Sequence, residues 1–190
     1  MEIRVLPTAL PEVVAIETAF VHDERGFFIE TYHRQLYAEH GLDAVMVQDN
    51  HSRSQRGVLR GIHYQGPPAP MVKLVRCTHG ALLDVAVDLR VGSPTFGRSV
   101  AVELSAENKR QLWIPVGFGH GFVALSAFAE IQYKCSAYYT PSAEGAIAWN
   151  DPDLAINWPL ADPILSRRDQ AALSLRDYLA QPMFHYERGT

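Results

Sequence analysis

The sequence contains little cysteine, no excess of positive charge and no long apolar run, and each shortage excludes a class of protein. Only two of its 190 residues are cysteines, Cys77 and Cys135, which rules out a disulfide scaffold and fits a reducing cytoplasm. Lysine and arginine number 17 against 21 acidic residues, a net charge of −4, and no basic segment offers a track for a phosphate backbone. We therefore expect a cytoplasmic protein without a nucleic acid partner.

Membrane insertion and secretion are not expected either. Apolar segments such as residues 81–87 are too short for a membrane-spanning helix, which needs about 20 residues. The first residues, MEIRVLPTALPEVV, lack the basic start and the apolar segment of a signal peptide. We therefore expect no membrane partner and no secretory leader.

Long helical stripes are also missing, and short alternating runs take their place. The 13 glycines and 12 prolines separate segments in which apolar residues recur with period two, as in β-strands. In residues 81–89 every odd-numbered position is apolar, which predicts that this face packs on a core. The length and the 47% apolar content suit one globular domain spanning residues 1–190.

Nine segments have the strand pattern. They are residues 27–32, 44–50, 57–65, 71–78, 81–89, 98–104, 111–115, 122–128 and 130–139. Helices are predicted only at residues 33–40, where Gly41 ends the helix, and from residue 167 to about 180. Many short strands separated by turns favour a mainly β sandwich of the jelly-roll type with short peripheral helices.

Histidines in a jelly roll raise the question of a metal site of the cupin type, in which one strand supplies H-x-H and a later acid. His63 fits the first position, but Gln65 occupies the second, and Ala69 and Pro70 stand where the acid would fall. The segment PVGFGH (115–120) keeps only the second half of the motif. Fewer than the three protein ligands usual for a catalytic metal remain. We therefore expect acid–base chemistry without a metal or cofactor.

Several side chains are candidates for that chemistry, and each has a structural alternative. The candidates are His63, Lys73, His120, Tyr133 and Asp169. His63 is explained equally well as an inward histidine bonded to a backbone carbonyl. Lys73 interrupts an apolar stripe, so it either reaches solvent or serves an anion. A core tyrosine with one hydrogen bond is the commoner explanation of Tyr133. Asp169, three residues after Ser166, fits the second half of a capping box.

Eight segments, taken together, resemble one family. They are DERGFFIETY (23–32), VQDNHSRS (47–54), GVLRGIHYQ (57–65), KLVRC (73–77), DVAVDLRVGSPTFG (84–97), LSAENKRQLWIPVGFGHGF (104–122), YKCSAYYTPSAEG (133–145) and IAWNDPDLAINWP (147–159). In this order and spacing, the chain resembles the dTDP-4-dehydrorhamnose 3,5-epimerases over nearly its whole length. The resemblance implies a cupin-like jelly-roll homodimer that exchanges N-terminal strands, contains no metal or organic cofactor and acts on a nucleotide-linked 4-keto-6-deoxy sugar.

The reaction that the resemblance implies inverts C3 and C5 of dTDP-4-dehydro-6-deoxy-D-glucose, giving dTDP-4-dehydro-L-rhamnose for dTDP-L-rhamnose biosynthesis. Inverting a carbon beside a ketone removes a proton from one face and returns one to the other, through an enolate. By resemblance, His63 is the general base and Asp169 orients it. Lys73 stabilises the enolate oxygen, and Tyr133 is the general acid.

Ten further residues contact the nucleotide or the sugar by the same resemblance. They are Arg25, Glu30, Gln48, Asp49, Asn50, Arg60, His120, Tyr138, Glu144 and Arg168. Arg25 and Arg60 suit a diphosphate, because a guanidinium fork binds phosphate oxygens through paired hydrogen bonds. Tyr138 and Tyr139 are expected near the sugar pocket. The family commonly has lysine where this chain has Arg168, which keeps the charge and changes its reach.

Three other functions are consistent with part of this pattern. An epimerase acting only at C3 or only at C5 of a related nucleotide sugar would use the same acid and base. A sugar-nucleotide binding module without activity is disfavoured because His63 and Tyr133 are both present. A metal-dependent cupin oxygenase is disfavoured by Gln65 and by the missing acid.

Overall fold

Strands dominate the computed structural model, which describes residues 2–187. The strands are β1 (Ile3–Pro7), β2 (Val14–Thr18), β3 (Phe20–Asp23), β4 (Gly26–Ile29), β5 (Gln48–Gln55), β6 (Leu59–Gln65), β7 (Lys73–His79), β8 (Ala81–Asp88), β9 (Ser99–Ser105), β10 (Gln111–Ile114), β11 (Phe118–Ala124), β12 (Phe128–Cys135) and β13 (Glu144–Ala146). The helices are α1 (Arg34–Glu39), α2 (Arg167–Gln170) and α3 (Leu175–Ala180), with a 3-10 turn at Pro141–Ala143. The predicted mainly β fold with short helices is confirmed.

Two antiparallel sheets form the sandwich. The six-stranded sheet has the order β1-β2-β10-β7-β12-β5, and the five-stranded sheet has the order β13-β6-β11-β8-β9. Apolar side chains from both sheets, such as Ile131 from β12 and Leu82 from β8, share one buried core. None of the helices among residues 2–187 has the length and apolar character needed to cross a membrane.

Strand β8 corrects the expectation that one face of residues 81–89 is buried. The even-numbered side chains Leu82 and Ala86 face the core between the sheets. The odd-numbered side chains, including Val87, are buried on the other face, where Tyr178 of α3 covers them. Both faces are buried because the C-terminal segment packs over the outside of the five-stranded sheet.

The C-terminal segment is two short helices rather than the single predicted helix of residues 167–180. Ser174 begins α3 with a capping box, in which its hydroxyl accepts from the Asp177 N–H and the Asp177 side chain accepts from the Ser174 N–H. Just before it, Leu173 bridges to Ile147 as a short strand pair. The bridge at Leu173 and the new N-cap at Ser174 separate α3 from α2.

Several strand positions also differ from the prediction. Strands β1, β2 and β3 lie in a part of the sequence where no strand was predicted, and β5 begins and ends later than residues 44–50. Strand β11 begins at Phe118, four residues before the predicted strand 122–128. Glycines at the start of this strand hid it from the strand pattern, although the strand requires them. A Cβ on Gly121 would lie 2.9 Å from the Arg60 carbonyl oxygen of β6, so only glycine lets the two backbones meet so closely.

The β3–β4 hairpin forms a two-stranded sheet of its own, apart from the two large sheets. Its large apolar side chains are exposed: Phe20, Val21, Phe27 and Phe28. An exposed apolar patch of this kind is typical of a surface that meets another protein.

Candidate active site

A cleft opens between the two sheets. Strands β5, β7 and β12 line it from one sheet, and β6 and β13 line it from the other. The lining residues are Gln48, Asn50, His63, Tyr64, Gln65, Met71, Lys73, Tyr133, Cys135, Tyr139 and Glu144. Three of the four predicted catalytic side chains therefore line one cavity, and the fourth lies behind His63.

That fourth residue, Asp169, is bonded to His63. The imidazole Nε2 lies 2.5 Å from Asp169 Oδ1, and the Ser166 hydroxyl donates to Asp169 Oδ2 at 2.7 Å. Burial alone would raise the pKa of Asp169, but these hydrogen bonds from His63 and Ser166 lower it below its ordinary value. An ionised Asp169 accepts a hydrogen bond from a proton on His63 Nε2, and this contact directs the Nδ1 nitrogen away from the carboxylate.

The same segment also contains the cap that the spacing predicted. The Ser166 hydroxyl accepts the Asp169 N–H at 3.1 Å and so begins α2. The Asp169 carboxylate does not complete a capping box, because it binds His63 and the Ser166 hydroxyl instead. Asp169 is thus both part of a helix N-terminus and the partner of the histidine.

Lys73 lies on β7 inside the sandwich, where its neighbour across the ladder is Cys135 of β12. Burial lowers the pKa of its ammonium group, and negative charge on Cys135 and Asp84 would oppose that effect. Of the two alternatives for a lysine in an apolar stripe, the structure therefore favours service to an anion. A cation held in this partly buried position is suited to a developing oxyanion.

Tyr133 of β12 faces the cleft from the wall opposite His63, which stands on β6 of the other sheet. Its ring packs against the sandwich core, as the structural alternative proposed. Burial is the main cause that raises the pKa of its hydroxyl. The phenol therefore carries its proton at neutral pH and can donate it into the cleft.

His120 lies deeper than the cleft wall and is only 6% exposed. Its Nε2 is 2.7 Å from Asp84 Oδ1, and burial lowers the pKa of its imidazole. Sequence reasoning missed Asp84. Its one signal was an acidic residue on the even-numbered face of β8, the face that proves to be the interior.

The predicted binding residues of β5 divide between two faces. Gln48 and Asn50 line the cleft, whereas the Asp49 carboxylate lies on the outer face and accepts from the Lys134 ammonium at 2.9 Å. Alternate residues of a strand point to opposite sides, so three consecutive residues do not all enter one cavity through their side chains. The prediction that Asp49 contacts the ligand stays a prediction, since its side chain does not line this cleft.

Glu144, Arg168 and Tyr139 form one group at the mouth of the cleft. Arg168 Nη1 lies 2.7 Å from Glu144 Oε2, and the Tyr139 hydroxyl donates to the same oxygen at 2.8 Å. Tyr139 is among the lining residues, whereas the side chain of Tyr138 is largely exposed. Arg168, which stands where the family commonly has lysine, is thus paired with the carboxylate of Glu144.

The arginines predicted to bind phosphate occupy different regions. Arg60 Nε donates to the Ser54 hydroxyl at 3.1 Å, and its positive charge acts on Tyr133, so it lies beside the cleft. A register shift interrupts the pairing of β6 with β11 between Arg60 and His63, which changes the strict alternation of side chains at this point of β6. Arg25 instead lies in the β3–β4 hairpin, where its guanidinium pairs with Asp23, and Glu30 follows β4.

Gln65 shows why the cupin ligand pattern is broken. Its amide donates to the carbonyls of Ala69 at 2.6 Å and Tyr138 at 3.0 Å, and its oxygen accepts the Thr140 N–H at 2.8 Å. The residue in the position of the second histidine therefore holds together the loops around the cleft. Within residues 2–187, no three side chains of His, Cys, Asp or Glu are grouped so that they could hold a metal ion.

Comparisons with known proteins agree with this geometry. The dTDP-4-dehydrorhamnose 3,5-epimerase family matches residues 7–177. The chain belongs to this family. It is 54% identical to the dTDP-4-dehydrorhamnose 3,5-epimerase of Salmonella typhimurium, over 88% of this chain and 93% of that one. It is 42% identical to a dTDP-4-dehydrorhamnose 3-epimerase of Streptomyces niveus, over 92% and 84%.

A solved structure shows the same fold. The epimerase of Legionella pneumophila in complex with dTDP-4-keto-L-rhamnose superposes with a TM-score of 0.94 at 48% identity, covering 98% of this chain and 100% of that one. The predicted cupin-like jelly roll is confirmed by this likeness.

The bond between His63 and Asp169 leads to a direct test. We expect Asp169→Asn to leave the fold intact and to lower kcat by about 10³-fold or more, because an amide can hold the imidazole in the wrong tautomer. The matched control is Asp177→Asn, the same change at the same position of α3, which should leave kcat unchanged. Steady-state kinetics and thermal unfolding of both variants decide the matter. Near-normal activity of Asp169→Asn with a loss of stability would reduce Asp169 to a helix cap.

Proposed function

We propose that the chain is an epimerase that inverts C3 and C5 of dTDP-4-dehydro-6-deoxy-D-glucose to give dTDP-4-dehydro-L-rhamnose, in the biosynthesis of dTDP-L-rhamnose. One observation carries the proposal: the His63–Asp169 pair and the protonated Tyr133 stand on opposite walls of one cleft that also holds Lys73. Proton removal on one face and proton return on the other require this arrangement. The 54% identity to the Salmonella enzyme supports the same substrate.

In the proposed mechanism His63 Nδ1 removes the proton from the carbon beside the ketone, and Asp169 stabilises the imidazolium that forms. The electron pair of the C–H bond moves to the C4 oxygen, which becomes an enolate. The Lys73 ammonium binds that oxygen, and loss of one such donor typically raises a barrier by about 2.7–4 kcal/mol. Tyr133 then gives its proton to the opposite face of the carbon. Only protons are exchanged, so the scheme requires no metal or organic cofactor.

The nucleotide would occupy the rim of the cleft. We propose Gln48, Asn50 and Glu144 as polar contacts, Tyr138 as an exposed aromatic contact, and Arg60 and Arg168 as the cations near the diphosphate. His120 would contact a sugar hydroxyl from below. Their positions on or beside the cleft support these roles.

We further propose that residues 1–190 act as one unit in the cytoplasm. Support comes from Asp169, which lies in the C-terminal segment and completes a site inside the sandwich. Residue 1 and residues 188–190 of that unit lie outside the described residues. Both cysteines are buried free thiols, which fits a reducing compartment.

Inversion at a single carbon is the second candidate, since the Streptomyces niveus relative is a 3-epimerase by name. The same base and acid would serve either reaction. The higher identity to the 3,5-epimerase favours inversion of both carbons.

Counting deuterium separates these functions. We expect the wild-type protein, incubated with dTDP-4-keto-6-deoxy-glucose in deuterated water, to introduce two deuterium atoms, one at C3 and one at C5, because each inversion returns a solvent proton. Mass spectrometry of the product gives the number and position. A single deuterium would support the one-carbon epimerase, and none would support a binding module.

We also propose that the protein is a homodimer in which the β3–β4 hairpin of each subunit reaches the cleft of its partner. The hairpin belongs to neither large sheet, and its apolar side chains are exposed. Arg25 lines a surface hollow with other hairpin residues rather than the cleft of its own chain. A partner chain that supplies Arg25 would bury the apolar surface and complete the phosphate site together with Arg60.

Mixing two inactive variants tests this exchange. If Arg25 acts in the partner's cleft, a heterodimer of Arg25→Ala and His63→Asn chains contains one intact site. Co-refolded in equal amounts, the mixture should recover about a quarter of the wild-type activity. Each variant refolded alone is the control. No recovery, with heterodimers present by mass, would mean that Arg25 serves its own chain.

A further inference from the structure

Asp84 is a buried carboxylate that the proposed mechanism leaves unused. It lies in the middle of β8 with 0% exposure, and its Oδ1 is bonded to His120. Its other oxygen, Oδ2, is buried and has no hydrogen-bond partner among residues 2–187. A buried carboxylate oxygen without a hydrogen-bond partner destabilises a fold. Such a group calls for a role other than packing.

Asp84, His120 and His63 lie in a row across three neighbouring strands of one sheet. His120 of β11 pairs with His63 of β6 on one side and with Ala86 of β8 on the other. Asp84 is two residues from Ala86, so its side chain points to the same face as the imidazole of His120. The row connects a buried carboxylate to the floor of the cleft.

The bond to Asp84 decides which nitrogen of His120 carries the proton. Burial lowers the pKa of His120 despite the opposing effect of Asp84, so the ring is neutral at neutral pH. With the Nε2 proton donated to Asp84, Nδ1 keeps its lone pair and can accept a hydrogen bond from a sugar hydroxyl.

The unsatisfied oxygen also bears on Lys73. The charged and titratable groups that act on its ammonium are Asp84 from β8, Cys135 from β12, Glu144 from β13, Arg168 from α2 and His120 from β11. Glu144 is already paired with Arg168. Burial raises the pKa of the Cys135 thiol, which is therefore neutral at neutral pH, as is His120. Asp84, whose Oδ2 is buried and unpaired, is a second carboxylate whose charge favours the ammonium form of Lys73.

We propose that Asp84 is a positioning residue of the reaction: one oxygen holds His120 with Nδ1 toward the cleft, and the other supplies the negative charge that keeps Lys73 an ammonium ion. The inference rests on the proposed function and extends it to a residue outside the cleft wall. Asp84 acts only through these two side chains. A neutral Lys73 would be unable to stabilise the enolate, so Asp84 controls the form in which the site is active.

The pH profile of Asp84→Asn gives the test. Burial raises the pKa of Tyr133 and lowers that of Lys73, so the loss of activity with rising pH reports Lys73. Removing the carboxylate charge lowers the pKa of Lys73 further, so the alkaline fall in kcat should move down by about one pH unit. At neutral pH kcat should fall about 10- to 100-fold, while the affinity for dTDP stays within about twofold.

The matched control is Asp88→Asn, which changes another buried carboxylate of β8, bonded to Arg90 and Ser93. It should lower stability and leave the alkaline fall in place. Equal pH profiles of the two variants would overturn the proposal and make Asp84 a structural residue. Both profiles are compared with the turnover of the wild-type protein. If the wild-type protein shows no turnover, the proposed function is refuted instead.

A second measurement uses the wild-type protein and so does not depend on whether a variant folds. In ¹⁵N NMR of the wild-type protein, His120 should be neutral with its proton on Nε2. A proton on Nδ1 would contradict the proposed orientation.

Discussion

The hydrogen bond between His63 and Asp169 joins two parts of the chain that are 106 residues apart, and the arrangement of the site depends on it. His63 belongs to the sandwich, whereas Asp169 belongs to the C-terminal segment packed over the outside of the same sheet. That segment is held by buried contacts: the Tyr178 hydroxyl donates to the Leu89 carbonyl at 2.8 Å and accepts the Phe184 N–H at 3.2 Å. Apolar packing on the outer face of the five-stranded sheet thereby holds Asp169 against His63, which lies on β6 of the same sheet.

Burial divides the acid–base work in the cleft. It raises the pKa of the Tyr133 hydroxyl and keeps that group protonated, whereas two hydrogen bonds overcome its effect on Asp169 and keep the carboxylate ionised. The same burial lowers the pKa of Lys73, and negative charge on nearby groups such as Asp84 opposes that effect. Position in the sandwich, rather than residue type alone, determines which of these groups are charged.

Much of the fold follows from local pattern, and the exceptions have physical causes. Period-two alternation is sufficient for strands such as β7 and β12, whereas the start of β11 is hidden by glycines that are needed for close backbone contact. Alternation shows that the odd-numbered face of β8 is apolar, but it does not show that the even-numbered face is the one between the sheets. The residues that cover the odd-numbered face, such as Tyr178, lie far away in the sequence.

The site shows the same limit. Spacing alone explained Asp169 as half of a capping box and Tyr133 as core. The Ser166 cap and the core contact of Tyr133 are present, whereas the Asp169 carboxylate does not complete the capping box. The proximity of Asp169 and Tyr133 to His63 arises from tertiary packing, so only the family resemblance brought them together in advance. The resemblance also included Asp49, whose side chain the strand directs outward, while Asp84 was missed because nothing local distinguishes it.

The central claim is that His63 and Tyr133 do different jobs on opposite faces of the substrate. The most direct measurement is the ratio of deuterium in recovered substrate to product of inverted configuration, compared between His63→Asn and Tyr133→Phe. The account predicts that His63→Asn loses both exchange and inversion, because no carbon-bound proton leaves without the base. It predicts that Tyr133→Phe retains exchange while inversion falls, because His63 can return the exchanged deuteron to the same face. A Tyr133→Phe protein that loses both in equal proportion, or keeps both, would contradict the account.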